Sequence, residues 1–305
     1  MGLYVAQDII ENDQAVTGAD NGSGKTPTGL FRKIVNDIRE NSEHLPSLPT
    51  VCVRVRKGLA NPNTQVAELE KMIERDPALS AFLLRTASSP IYHNQQSNPS
   101  LRTVIPLLGF STINNLTMLH SVKSLFINHD RQLKPLCQFT WRQLALKAAL
   151  ASLFAQKLHF RTSDQAMLAA IYTELGSLAI LSALRSAGQV PDLPSYQLLC
   201  RSYAVSLGSL ILRKWQCEPE YMAALKQCGN WGYAGSSKLE LIDVINLAHY
   251  HAATMLPTGL KLPALTDLVA YQKLPASLQA TDQRGQLALV MAERSVIARL
   301  ANTFL

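Results

Sequence analysis

Several patterns that would assign a function directly are missing from this sequence. The five cysteines are odd in number and form no Cys-x-x-Cys pair, which argues against a disulfide scaffold and against a tetrahedral cysteine zinc site. We therefore expect reduced core cysteines and a cytoplasmic location. No run of Lys and Arg is dense enough for a nucleic-acid-binding arm, so nucleic acid is not the partner we expect.

Long apolar runs and strand patterns are missing as well. The N-terminus has no basic region followed by an apolar stretch, and no segment approaches ~18 uninterrupted apolar residues. We therefore expect no secretion signal, no transmembrane helix and no membrane partner. Alternating strand-type residues are nearly absent and no repeat of fixed period is visible, which predicts an all-α fold and excludes a solenoid.

The composition that remains is that of a folded, mildly basic protein. Hydrophobic residues make up 47% of the chain and charged residues 17%, which is typical of a well-filled core. The formal net charge of +7 favours anionic partners, such as nucleotides, nucleic acid or acidic protein surfaces, without choosing among them.

Helix signals follow one another through most of the chain. Asp76-Pro77 predicts a helix start, because aspartate can cap a helix and proline is tolerated at its first position. Thr64, Ser100 and Ser111 are candidate caps for three more helices, with a break at Gly109. Other helices are expected at about 50–60, 138–159, 164–186, 195–215, 218–228 and 238–255.

The polar segment 127–135 is a natural boundary between two helical subdomains. We expect a flexible tail at 1–27, an N-terminal subdomain at 28–135, a second subdomain at 136–256 and a C-terminal helical extension at 257–305. The extension carries apolar residues that could dock on the main body: Leu287, Val290, Met291, Val296, Leu300 and Leu305.

An ordered series of short motifs in the first half resembles the HDOD family. The motifs are Leu-Pro-Ser-Leu-Pro at 45–49, Asp76-Pro77-Ala78-Leu79, Leu83-Leu84-Arg85, Ser100-Leu101 with Ile105 and Leu108-Gly109, and Asn115-Leu116. One departure is Ser88-Ser89, where the family usually has Asn-Ser. The second half matches more weakly, at Phe139-Thr140-Trp141, Glu174-Leu175-Gly176, Gly208 to Trp215 and Pro219. The resemblance covers about 30–255 and implies two packed helical subdomains, the second of which is similar to HD-type metal-dependent phosphohydrolases.

The resemblance also implies where metal ligands would stand in such a hydrolase: an early His, an adjacent His-Asp pair, a further His and a later Asp. The residues at or near these positions are Gln143, Thr173, Glu174, Ala204 and His249. Because nearly all the ligand types are replaced together, we expect no catalytic residues, no metal and no cofactor. Glu174 and His249 are the remaining metal candidates, since Asp243 lies about two turns before His249 and cannot simply substitute.

Other notable residues have plain structural interpretations. His129-Asp130 looks like the family dipeptide but lies in the polar boundary segment, where we expect a solvated loop. His249 and His251 point to roughly opposite faces of a helix. We expect core positions for Trp141, Trp215 and Trp231, a solvated face for Arg54, Arg56 and Lys57, and a structural partner such as Asp76 or a loop carbonyl for Arg85.

Three functional hypotheses remain open. The resemblance implies a bacterial signal-transduction protein without catalytic activity that binds a protein partner or a small anionic effector and that could form a homodimer. The second is a divergent metal-dependent phosphohydrolase that uses Glu174, His249 or unrelated residues. The third is nucleic-acid binding through the basic surface.

Overall fold

A computed structural model describes residues 45–88, 99–126, 131–160 and 163–304. These residues are mostly helical, and their only β-type pairing is an isolated bridge between Thr281 and Leu287. The all-α prediction is therefore confirmed. The predicted tail at 1–27 and the His129-Asp130 dipeptide lie outside the described residues.

The first described helices form the N-terminal part of the fold. They are α1 (Thr50–Ala60), α2 (Val66–Glu74), α3 (Pro77–Ala87) and α4 (Leu101–Phe126). The predicted start of α3 is confirmed, because Asp76 Oδ1 accepts the backbone N–H of Leu79 at 2.9 Å. The predicted cap of α4 is confirmed as well, because Ser100 Oγ accepts the N–H of Thr103.

Two details of this part differ from or refine the prediction. Thr64 was expected to cap α2, but Gln65 occupies the N-cap position and forms no side-chain cap bond, so that prediction was wrong. Thr64 is buried instead. The predicted break at Gly109 is confirmed within α4, where this residue has φ 79° and ψ 159°, a conformation that glycine adopts without a side-chain clash.

The second group of helices surrounds the centre of the molecule. It consists of α5 (Lys134–Lys157), α6 (Ser163–Tyr172), α7 (Leu175–Ser186), α8 (Leu193–Lys214), α9 (Pro219–Gln227) and α10 (Leu241–Met255). Helix α5 packs along α6 and α10, and α7 packs along α8. One continuous helix was predicted at 164–186, and this was wrong, because the chain leaves the helix at Thr173 and Glu174. Ordinary helix-forming residues around the break hide it from a pattern search.

The segment Ser163–Ser186 is also long and apolar enough to cross a membrane by length and composition, although no such segment was predicted. In the fold, 94% of its most apolar window is buried. Its composition is therefore that of a central core element, which is apolar on all sides because other helices surround it.

The proline-rich motif at 45–49 is anchored on the C-terminal end of α8. Lys214 Nζ donates to the carbonyl of Leu45, and the Trp215 indole N–H donates to that of Pro46. Arg56 donates in turn to the carbonyls of Trp215 and Gln216, at 2.7 and 3.3 Å. The two Arg56 bonds satisfy carbonyls that the end of α8 leaves without partners, and they place a cation at the negative end of the helix dipole. The expected solvated role of Arg56 was therefore wrong, whereas Arg54 and Lys57 are exposed and Trp215 is buried as predicted.

The C-terminal extension contains less helix than predicted. It forms short elements: a 3₁₀ turn, α11 (Val269–Gln272), a second 3₁₀ turn and α12 (Ala288–Ala292). A longer final helix, α13 (Arg294–Phe304), follows and packs on α5. Docking on the main body is confirmed for Leu287, Val290 and Leu300, which are buried, and Val296 is half-buried. Met291 is 41% exposed, contrary to expectation, and Leu305 lies outside the described residues.

Candidate functional site

The break between α6 and α7 turns two polar side chains into the centre of the fold. The backbone N–H of Glu174 bonds to the carbonyl of Ile171 at 3.0 Å, a tighter spacing than that of an α-helix. Thr173 and Glu174 are each only 7% exposed. Polar groups buried this deeply need partners, and a neighbouring helix supplies them.

Lys147 of α5 is the main partner of both residues. Its side chain is 1% exposed, and its Nζ donates to Thr173 Oγ1 at 2.7 Å and to Glu174 Oε1 at 2.5 Å. The other carboxylate oxygen of Glu174 accepts from Ser177 Oγ at 3.0 Å. The result is a buried ion pair whose oxygens and ammonium protons are largely satisfied, which is the condition under which such a pair is tolerated.

Electrostatics favour the charged form of the lysine. Burial alone lowers the pKa of Lys147, but Cys228 and the Glu174 carboxylate more than offset this effect, and the pKa of the ammonium is raised. Cys228 Sγ lies 4.0 Å from Nζ. Burial raises the pKa of the Cys228 thiol, which is therefore uncharged at neutral pH. We infer that the negative charge of the Glu174 carboxylate keeps Lys147 protonated.

A second wall of the site is formed by the loop after α9 and by α10. The His249 ring stacks on the Trp231 ring, with centroids 5.5 Å apart and an interplanar angle of 12°. The backbone N–H of Gly229 donates to Asn246 Oδ1 at 2.8 Å, and Asn246 Nδ2 donates to the carbonyl of Asn230. Asparagine thereby ties the loop to α10 and holds the stacked pair in place.

His249 is held in its neutral form in this wall. Burial lowers the pKa of His249 well below its ordinary value, and the Lys147 ammonium lowers it further. Its Nδ1 is buried and has no hydrogen-bond partner among the residues that the structure describes. The charge of Lys147 therefore reaches the predicted late ligand position.

The residues predicted from the resemblance converge in part. Thr173 and Glu174 both accept hydrogen bonds from the Lys147 ammonium, and the positive charge of this ammonium further lowers the pKa of His249. Gln143 lies four residues before Lys147, on the same face of α5 and half-buried. Ala204 is a packing residue.

The packing at Ala204 is unusually close. A Cβ atom placed on Gly176 would lie 1.8 Å from the Ala204 carbonyl oxygen, so α7 and α8 meet backbone to backbone at this point. Gly208 faces the same contact, with the Gly176 nitrogen 3.2 Å from where its Cβ would be. Gly176, two residues after Glu174, thus sets the close approach of α7 and α8 near the ion pair.

Asp243 is separated from this centre by its own contacts. Its carboxylate accepts the Glu240 backbone N–H at 2.7 Å in the cap of α10, and Lys273 Nζ lies 2.9 and 3.0 Å from its two oxygens. Lys273 also lies over the Tyr233 ring at 5.8 Å. Asp243 therefore anchors the C-terminal extension.

His251 faces the other side of α10, as its spacing from His249 predicted. It is fully buried against Phe154 and Tyr250, and within the described part of the chain neither ring nitrogen has a hydrogen-bond partner. Burial lowers the pKa of His251 to about 4, with a small opposing effect from Asp282. His251 is a neutral core residue.

Lys147 and Cys228 were missed by sequence reasoning. Lys147 is the lone charged residue in the apolar run from Leu144 to Ala155, where a helix position facing the core is expected to be apolar. That interruption was a detectable signal for a buried charge in need of a partner. No comparable signal marks Cys228, because cysteine is an ordinary core residue.

The donor set does not fit a divalent metal ion. Metal ligands must offer lone pairs, whereas Lys147 brings a positive charge and three N–H donors to this position. Among the described residues, no three His, Cys, Asp or Glu side chains are grouped so that they could hold a metal. The retained carboxylate, Glu174, already binds the ammonium.

A model of the HDOD domain matches residues 45–230, which is most of the two helical groups. The chain belongs to the HDOD family. It is 19% identical over 261 residues to an uncharacterized protein of Treponema pallidum, and the match covers 81% of this chain but only 47% of that protein. This chain thus spans about half the length of that relative.

Solved HDOD structures share the same fold. The "Putative metal-dependent phosphohydrolase" of Shewanella amazonensis SB2B superposes with a TM-score of 0.72 at 19% identity, covering 90% of this chain and 98% of the other. An HDOD domain protein of Geobacter sulfurreducens gives 0.60 at 15% identity, over 90% and 97% of the two chains. A "Putative signal transduction protein" of Marinobacter aquaeolei VT8 gives 0.59 at 19% identity, over 90% and 64%.

Proposed function

We propose that this HDOD protein is a non-catalytic signalling module that binds a protein partner or a small anionic effector. The observation that carries the proposal is the buried contact of Lys147 with Glu174 and Thr173, at the position where the resemblance puts the His-Asp ligand pair. A lysine ammonium can neutralise the Glu174 carboxylate as a metal ion would, but it cannot activate a bound water as a Lewis acid.

The consequence for the fold is a permanent internal cation. The ion pair links α5 to the break between α6 and α7, and it needs no bound metal for charge balance. A helical scaffold fixed in this way can present surfaces to partners without turnover. The name of the Marinobacter structure, which refers to signal transduction, supports this reading, and five cysteines that form no disulfide bond support a cytoplasmic location.

The rival function is metal-dependent phosphoester hydrolysis, which the name of the Shewanella structure suggests. Purified protein supplied with Mn²⁺ separates the two in a single preparation. The measurements are metal content by elemental analysis and hydrolysis of a generic phosphodiester and of nucleotides. We expect substoichiometric metal and no Mn²⁺-dependent turnover.

Substitutions identify the source of any signal that does appear. Glu174→Gln removes the retained carboxylate, and Glu74→Gln makes the same change at an exposed position of α2. Stoichiometric metal and Mn²⁺-dependent turnover that Glu174→Gln abolishes and Glu74→Gln preserves would overturn the proposal. Turnover that survives Glu174→Gln would place a hydrolase site elsewhere and would also contradict a non-catalytic module.

A further inference from the structure

Three basic side chains of α3 and α4 lie together, far in sequence from the ion pair. The His120 ring packs against the Phe82 ring, with centroids 5.3 Å apart. Arg85 lies three residues after Phe82 on α3, and Lys123 lies three residues after His120 on α4. Residues three apart share a helix face, so Arg85 lies on the face of α3 that carries Phe82, and Lys123 lies on the face of α4 that carries His120. The three basic groups are close enough to influence one another electrostatically.

No carboxylate forms an ion pair with Arg85, His120 or Lys123 within the described part of the chain. Burial lowers the pKa of His120 and the negative charge of Asp76 opposes this effect, while Asp76 Oδ1 accepts the backbone N–H of Leu79 in the cap of α3. Arg85 and Lys123 form no ion pair or hydrogen bond there, so the expected structural partner of Arg85 is not seen. Lys123 is partly buried, and burial together with the charge of Arg85 lowers the pKa of Lys123.

We propose that Arg85, His120 and Lys123 form a binding site for the phosphoryl group of a small anionic ligand. The planar guanidinium of Arg85 can donate two parallel hydrogen bonds to phosphate oxygens, and the Lys123 ammonium adds a mobile point charge. Protonated His120 adds a third donor at lower pH. A bound dianion would offset the electrostatic repulsion among these three basic side chains.

This site gives the chemistry of the small anionic effector in the proposed function and rests on that function in this respect, but it is tested separately from the question of catalysis. The cluster lies on α3 and α4, whereas the ion pair joins α5 to the break after α6. A phosphate site on the N-terminal helices is compatible with either a catalytic or a non-catalytic second half. The test below therefore reports on the cluster alone.

Calorimetric titration of the full chain with inorganic phosphate and with pyrophosphate tests the site. Arg85→Gln and Lys123→Gln each remove one cation, and Arg102→Gln removes an exposed cation near the opposite end of α4 as a matched control. We expect each cluster variant to weaken binding about tenfold, in line with the loss of a charged hydrogen bond, and the control to bind as the wild type does.

Two outcomes would overturn the site. One is the absence of saturable binding of either anion at millimolar concentration. The other is equal weakening in Arg85→Gln, Lys123→Gln and Arg102→Gln, which would indicate a diffuse effect of net charge. Circular dichroism of each variant checks the fold, and Arg85→Lys, which keeps the charge, is expected to retain part of the affinity.

Sulfate provides a second readout, because its charge does not change between pH 7 and pH 5. Protonation of His120, which faces Asp76 from the α3 cap, Arg85 from α3 and Lys123 from α4, should tighten sulfate binding as the pH falls. His120→Gln should remove that pH dependence, because the glutamine side chain does not gain a proton between pH 7 and pH 5. A pH dependence that persists in His120→Gln contradicts the assigned role of the histidine.

Discussion

The buried ion pair allows a double-substitution test with a control of the same geometry. Lys147→Met leaves the Glu174 carboxylate buried with only Ser177 as a side-chain donor, and Glu174→Gln leaves the ammonium without its counter-charge. Removing one member of a buried pair typically costs ~3–5 kcal/mol, because an uncompensated charge stays in the interior. The double variant removes both charges, and we expect it to be more stable than either single variant.

An exposed pair supplies the comparison. Lys157 and Glu293 also approach to 2.5 Å, but their side chains are 38% and 24% exposed. Water screens such a pair, so Lys157→Met and Glu293→Gln should each change the free energy of unfolding by less than ~1 kcal/mol, with little coupling. The two pairs share residue types and distance, and they differ in burial, at 1% and 9% exposure for the buried pair, and in the hydrogen bonds that Thr173 and Ser177 make with the buried pair.

The assay is urea denaturation of the wild type, the single variants and the double variants for each pair. We expect a coupling energy of at least ~3 kcal/mol for Lys147 with Glu174 and of under ~1 kcal/mol for Lys157 with Glu293. Additive effects at Lys147 and Glu174, with a double variant less stable than both singles, would refute the reasoning. Metal dependence of wild-type stability would point to the same error.

Three further predictions concern packing, protonation and the anchor on α8. Gly176→Ala should destabilise the fold by ~3 kcal/mol or more, measured in urea, because the added Cβ meets the Ala204 carbonyl, whereas Gly232→Ala should change stability by under ~0.5 kcal/mol. His251 stays neutral in the fold down to pH about 4 against an ordinary 6.5, so it should contribute a loss of ~3 kcal/mol of stability as the pH drops from 6.5 to 4, and His251→Phe should lack that contribution alone. Arg56→Gln should lower the free energy of unfolding by ~1–2 kcal/mol, since it removes charged hydrogen bonds to the end of α8.

Each of these has an outcome that contradicts it. Equal stability of the two glycine variants would mean that α7 and α8 are not in backbone contact. A wild-type pH profile parallel to that of His251→Phe between pH 4 and pH 6.5 would mean that this imidazole is solvated. An effect of Arg56→Gln no larger than that of Arg54→Gln, an exposed neighbour on α1, would remove the anchor.

The sequence by itself determined the features that depend on neighbouring residues. Asp76 before Pro77 specified the start of α3, and Ser100 specified that of α4, because capping joins groups three residues apart. Gly109 marked the break because few other residues adopt its backbone conformation. The all-α class and the HDOD family followed from the same local signals, taken in order along the chain.

The tertiary structure decided what depends on residues far apart. Lys147 and Glu174 are 27 positions apart, and Lys147 and Cys228 are 81 apart, so no local pattern pairs them. The break at Thr173 and Glu174 could not be read from the sequence either, because both residues are compatible with a helix. Their hydrogen bonds to Lys147 are visible only in the folded chain. The positions that the resemblance assigns to metal ligands could be read from the sequence, but only the packing of α5 against α6 and α10 shows that an ammonium group lies among them.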